Sequence, residues 1–161
     1  MVERRLTAMV RALFDGGVEF LIVGGLSAVL NGAPVNTYDV DVVHRRTSEN
    51  VDRLMPVLEA LEAIYRIQPE RRLRPAKPAL LSAGHQNLLT KYGPLDLLGS
   101  IGSDMSYEDL LPHSTEMLIA EGISARVLNL ETLIELKEQL GGEKDRAMLP
   151  ILRGLLERKS R

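Results

Sequence analysis

The segment TYDVDVVH, residues 37–44, places two aspartates one residue apart inside a β-branched apolar run. Such a run favours a strand. In a strand, residues two apart project from the same face. Asp39 and Asp41 therefore point together, while Tyr38, Val40 and Val42 point the other way. Two adjacent carboxylates repel, and each has its pKa raised unless a cation joins them. Either the pair ends the strand in water, or the strand edge binds a divalent metal. Mg²⁺ suits such a site, because it takes carboxylates together with substrate phosphate oxygens.

Two further features bear on that choice. Upstream, the apolar run VEFLIV (18–23) reads as a buried strand that stops at Gly24-Gly25. A glycine pair at a strand-to-helix turn lets a phosphate approach the backbone closely, although it also serves as an ordinary tight turn. Downstream, PLDLL sets Asp96 between leucines in another expected strand. Two adjacent metal ions need a further carboxylate from a second strand, and Asp96 is the candidate.

Composition narrows the class. The chain has 161 residues, a hydrophobic fraction of 45% and a net charge of −2. That length fits one domain with a substantial core. The charge balance argues against broad non-specific nucleic-acid binding, which depends on clustered cations. With no cysteine, disulfides, thiolate catalysis and cysteine-ligated zinc are excluded. The N-terminal segment MVERRLTAMVRALFDGG reads as an amphipathic helix rather than a signal peptide. No apolar run approaches the ~20 residues of a membrane span, so the expected location is the cytoplasm, with no membrane partner.

Along the chain, helical spacing of Leu6, Met9, Val10 and Leu13 ends at Gly16-Gly17. A short helix over LSAVLNG is capped by Gly32, and Ser48 N-caps a helix reaching about Leu61. AIYRIQ (63–68) reads as a strand and PERRLRPAKP (69–78) as a basic loop. NLLTKY and PLDLLGS form two strands turned at Gly93-Pro94. Ser106 and Asp109 form a capping box, and a hairpin turns at Glu121-Gly122. Two helices follow from Asn129, separated by Gly141-Gly142, with Pro150 kinking the second or marking its first turn.

The segments VGGLSAVLNGAP, TYDVDVV, GPLDLLGSI, YEDLL and VLNLETLIELKEQLGGEKDRAML together resemble the nucleotidyltransferase superfamily of the DNA polymerase β-like fold. The likeness is strongest to small bacterial proteins related to abortive-infection toxin–antitoxin enzymes, and it spans roughly residues 5 to 157. It implies an α/β fold of the α+β type: a small mixed sheet flanked by helices. Residues 1–128 would form the core and residues 129–161 a C-terminal helical pair packed on it. The resemblance also implies transfer of a nucleoside monophosphate from an NTP to a hydroxyl, releasing pyrophosphate. Asp39, Asp41 and Asp96 would be the catalytic carboxylates and hold two Mg²⁺ ions, with Asp96 as base. Gly24, Gly25, Ser27 and Lys137 would contact the nucleotide.

Relatives often carry a basic residue after the proline preceding the D-x-D strand, where this chain has Val35 and then Asn36. That departure keeps a second reading open: a catalytically weak binding protein, such as an antitoxin-like partner. The acceptor could be a small molecule, a protein or an RNA end, and a protein partner or homodimer fits either reading.

Lys137 lies on the apolar stripe of Leu130, Leu133, Ile134 and Leu140. Its ammonium either snorkels to the surface or, as the resemblance implies, enters the cleft. Lys144 and Asp145 pair with the core or each other, or simply open their helix. The basic residues Arg66, Arg71, Arg72, Arg74 and Lys77 form a solvated loop or meet an anionic acceptor. His44, His85 and His113 have no ligand-spaced partners and read as structural or surface residues.

Overall fold

The computed structural model describes residues 2–160. Seven helices and seven strands alternate along them. Helix α1 (Arg4–Asp15) leads into β1 (Phe20–Val23), which passes directly into α2 (Gly24–Leu30). Strand β2 (Val40–His44), α3 (Ser48–Ala60) and the two-residue β3 (Ile64–Tyr65) follow. A short α4 (Lys77–Leu81) precedes the hairpin of β4 (His85–Thr90) and β5 (Gly93–Leu98). Helix α5 (Tyr107–Leu110), a second hairpin of β6 (Ser114–Ala120) and β7 (Ile123–Leu128), then α6 (Leu130–Leu140) and α7 (Glu143–Lys159) complete the chain.

The strands form one mixed sheet in the order β3-β4-β5-β2-β1-β7-β6. The β2–β5 and β1–β7 pairs are parallel and the others antiparallel. All four residues of β1 are buried, which suits a central strand covered on both faces. On one face Ile22, Val42 and Leu97 pack with α1 and α3 through Leu6, Leu13 and Leu54. On the other, Leu21 and Val43 pack with α6 and α7 through Leu133 and Leu152. Each such side chain contributes roughly 1.5–3 kcal/mol when fully buried. The C-terminal helical pair is thus part of the second core layer.

Several boundaries shift from the sequence expectation. The β2 ladder begins at Val40 rather than residue 37, because the stretch from Thr37 to Asp39 runs outside the sheet. Thr47, not Ser48, N-caps α3, its hydroxyl accepting from the Asn50 N–H at 3.2 Å. Helix α2 starts at the glycine pair itself and is capped by Asn31 rather than Gly32. The strand expected over 63–68 shrinks to Ile64–Tyr65, and part of the basic loop forms α4. Strand β5 includes Gly93 and Pro94, so the turn falls at Lys91 and Tyr92. The Ser106–Asp109 capping box and the Glu121-Gly122 turn lie where expected. Pro150 sits inside an unbroken α7.

Candidate active site

Strand register assembles the acidic cluster. Asp41 lies opposite Val23 on β1 and opposite Asp96 on β5. Cross-strand partners share a face, so both carboxylates emerge at the strand end where β1 turns into α2. Asp39, one alternation earlier, joins them from the approach to β2. Each of the three offers an oxygen within 4.8 Å of the others.

Partial burial of Asp41 and Asp96 sets an electrostatic cost on the cluster. Burial, reinforced by Asp96 and Asp39, pushes the Asp41 carboxyl from 3.8 up to about 7, with Arg66 opposing the rise. Among the described residues, Asp41 Oδ1 is a buried oxygen with no hydrogen-bond partner. An orphaned acceptor between two further carboxylates is what a hard divalent cation satisfies, so the donor set fits Mg²⁺.

Gly24 is required by geometry. Its φ is +64°, and a Cβ there would overlap Asp41 Oδ2. A Cβ on Gly25 would lie 2.8 Å from Thr37 Oγ1. The Ser27 hydroxyl donates to the Gly24 carbonyl at 2.6 Å, and the residue is fully buried. The Ser27 side chain thus braces the glycine turn. Asn31 ties α2 to β7 by donating to the Leu128 carbonyl at 3.0 Å.

Lys137 reaches the cleft rather than the surface. It lines the same cavity as Gly24, Gly25, Asp39 and Asp41, and its ammonium contacts Asp145 of α7 at 3.2 Å. The side chains of both partners are largely shielded. Lys137→Met should weaken nucleotide binding about tenfold or more, the equivalent of ~1.4 kcal/mol. It should also cost roughly 1 kcal/mol of stability by stranding Asp145, a cost that adding Asp145→Asn recovers. Calorimetric nucleotide titration and thermal melting of the single and double variants check both parts; unchanged affinity would remove Lys137 from the site.

Arg66, which sequence reading placed in the expected 63–68 strand and grouped with the basic loop, reaches the acidic cluster. Its Nη2 donates to Asp96 Oδ1 at 2.8 Å and its Nη1 to the Leu88 carbonyl at 2.7 Å. Arg66 continues the alternation of Ile64, which pairs with Leu89, and so falls on the Asp96 side of the sheet. A cation at that period was the available signal. Arg66→Met should destabilise the metal-free protein by roughly 1–3 kcal/mol. It should also enlarge the rise in melting temperature produced by Mg²⁺, because a competing cation is gone. Equal Mg²⁺ effects in both proteins would show that Arg66 and the metal do not compete.

The remaining basic residues behave differently. Arg71, Arg72 and Arg74 are exposed, and Lys77 pairs with Asp52 at 2.7 Å. His44 is buried on the opposite face, its Nε2–H donating to the Leu80 carbonyl at 2.7 Å. Burial lowers its pKa from the ordinary value. His113 contributes its carbonyl to the Asn129 N–H. His85, by contrast, lines a cavity that includes Gly24, Asp41 and Lys137, a placement that ligand spacing did not reveal.

The arrangement has the nucleotidyltransferase fold. A candidate nucleotidyltransferase from Thermotoga maritima superposes with a TM-score of 0.59 at 17% identity, covering 98% of this chain and 96% of its own. The lincosamide antibiotic adenylyltransferase LnuA, solved with lincomycin bound, gives a TM-score of 0.62 at 14% identity, covering 96% of this chain and 98% of its own. No family model matches the sequence, and no curated protein matches it significantly. Among the described residues, no helix is long and apolar enough to cross a membrane.

Proposed function

We propose that the protein is a Mg²⁺-dependent nucleotidyltransferase that moves a nucleoside monophosphate from an NTP to a hydroxyl acceptor. The observation that carries this reading is the convergence of Asp39, Asp41 and Asp96 beside Gly24, with a buried Asp41 oxygen lacking a partner. The likeness to an adenylyltransferase fold supports it. Bound by these carboxylates, two Mg²⁺ ions would supply Lewis-acid neutralisation of the triphosphate.

The chain's own residues do the rest. The cavity containing Gly24 and Gly25 measures about 320 Å³ and is also lined by Asn36, Thr37, Lys137 and Lys144. Its lysines belong to α6 and α7, so the C-terminal helices provide the positive charge that Val35 and Asn36 do not. Lys137 and Lys144 hold the triphosphate against the first N–H groups of α2, which have no intrahelical acceptor. The acceptor oxygen bonds to the α-phosphorus, the bond to pyrophosphate breaks, and Asp96 takes the hydroxyl proton. Positioning and charge neutralisation account for most of the catalysis in such in-line transfers.

The experiment is to supply each α-labelled NTP with Mg²⁺ and a cell extract, using wild type and Asp41→Asn. Label should enter a product only with wild type. Nucleotide binding without label transfer would favour the second reading, a fold-retaining binding protein; the Arg66 hold on Asp96 is the observation on that side.

A further inference from the structure

Two cavities of opposite character meet at the acidic cluster. The polar one carries Lys137 and Lys144. The other, about 260 Å³, lies between the end of β5 and α6 and is walled by Leu98, Ile101, Leu128, Leu133, Leu136 and Leu140. Gly24, Asp41 and Lys137 line both. We infer that the apolar cavity is the acceptor site, and that the acceptor is a small molecule with an apolar body and a hydroxyl group.

The inference rests on the nucleotidyl-transfer reading and adds the acceptor's chemistry to it. In-line displacement puts the attacking oxygen and the leaving pyrophosphate on opposite sides of the α-phosphorus. The cation-lined cavity suits the pyrophosphate. The attacking hydroxyl then comes from the second cavity that reaches Asp41, the apolar one.

That wall selects a chemical class. Beyond Asp41 and Lys137, which it shares with the polar cavity, the six aliphatic side chains offer no partner to further ammonium or phosphate groups, and stripping water from an unpaired charge costs several kcal/mol. A polycationic acceptor or an RNA end is disfavoured there. The volume falls just below the roughly 300–1,000 Å³ of drug-sized ligand pockets, so the cavity takes the apolar part of a small molecule. The remainder extends past Leu140, which is 65% exposed. Besides those two shared groups, His85 adds a polar side chain to the wall. The Nε2–H of His85 donates to the Ser100 carbonyl at 2.9 Å, which fixes the ring and leaves Nδ1 as the ring nitrogen that can meet a hydroxyl.

The test uses the full chain and the neutral fluorophore prodan, with and without saturating Mg²⁺ and α,β-methylene ATP. Prodan should bind and remain bound when the nucleotide is added. Ile101→Glu should weaken its binding by about tenfold or more. Leu140→Glu, at an exposed position that spares the fold, should weaken it severalfold. Octanol should displace the dye and kanamycin should not. Displacement by nucleotide would make the cavity the base site and overturn the inference. So would absence of dye binding, indifference to both substitutions, or displacement by kanamycin. Nucleotide affinity measured by calorimetry on the same sample separates the two levels. A chain that binds prodan but no nucleotide defeats the transferase reading, whereas one that binds nucleotide but not prodan defeats only the acceptor assignment.

Discussion

Asp41→Asn should reduce nucleotidyl transfer by roughly three orders of magnitude or more, while making the metal-free protein more stable. The two effects share one cause. The Asp41 carboxyl is held at about 7 by burial and by Asp96 and Asp39, against 3.8 for the unperturbed group. Between those values the folded state binds a proton that the unfolded state has released, so stability falls as pH rises. The contribution of the protonated form is fully present below about 3.8 and is lost as pH passes about 7. An isosteric amide has no charge to bury and does not titrate. With EDTA present, the variant should therefore gain on wild type from pH 4 to about pH 7 and level off above it, reaching on the order of 2–4 kcal/mol. Mg²⁺ should reverse the order, because metal binding needs the ionised carboxylate. Thermal melts across pH, with and without Mg²⁺, check each part. Parallel curves in EDTA would show that Asp41 ionises freely in the fold.

Gly24→Ala is the second large effect. The position has φ +64°, which costs an ordinary residue about 1–2 kcal/mol. The added Cβ would also overlap Asp41 Oδ2, so the carboxylate must leave its present position in the cluster. Displacing a reacting group by about 1 Å can cost 10²-fold, and a loss of that order in kcat is expected. Gly25→Ala provides the comparison. Its new Cβ would meet the Thr37 hydroxyl at 2.8 Å, and its backbone is not left-handed, so the loss should be smaller. Similar kcat values for the two variants would contradict the role given to the Gly24–Asp41 contact.

The features legible in the sequence are those written in local periodicity. Asp39 and Asp41 show as a same-face pair because strand alternation is a two-residue rule. Gly24-Gly25 shows as a turn because it ends an apolar run. Asp96 could be proposed only from the need for a third carboxylate. Its partnership with Asp41 is a matter of parallel register between β2 and β5, which no local pattern encodes. The Arg66 partner was hidden for the same reason: its contact with Asp96 depends on the pairing of three strands, and β3 is only two residues long. His85 shares its side of the sheet with Asn87 and Asp96 through the β4–β5 ladder, so residue spacing within its own segment could not place it. Ser27 is the converse case. Its proximity to the glycines in sequence is real, but its hydroxyl turns back to brace Gly24.

The central claim is that Asp39, Asp41 and Asp96 together hold the metal that engages an NTP. The most direct measurement is a crystal structure with Mn²⁺ and α,β-methylene ATP, using the anomalous signal of manganese to locate the ions. Manganese should lie within ligand distance of all three carboxylates, with the triphosphate in the cavity lined by Gly24, Lys137 and Lys144. A nucleotide bound elsewhere, or no manganese at this cluster while Arg66 stays on Asp96, would contradict that claim.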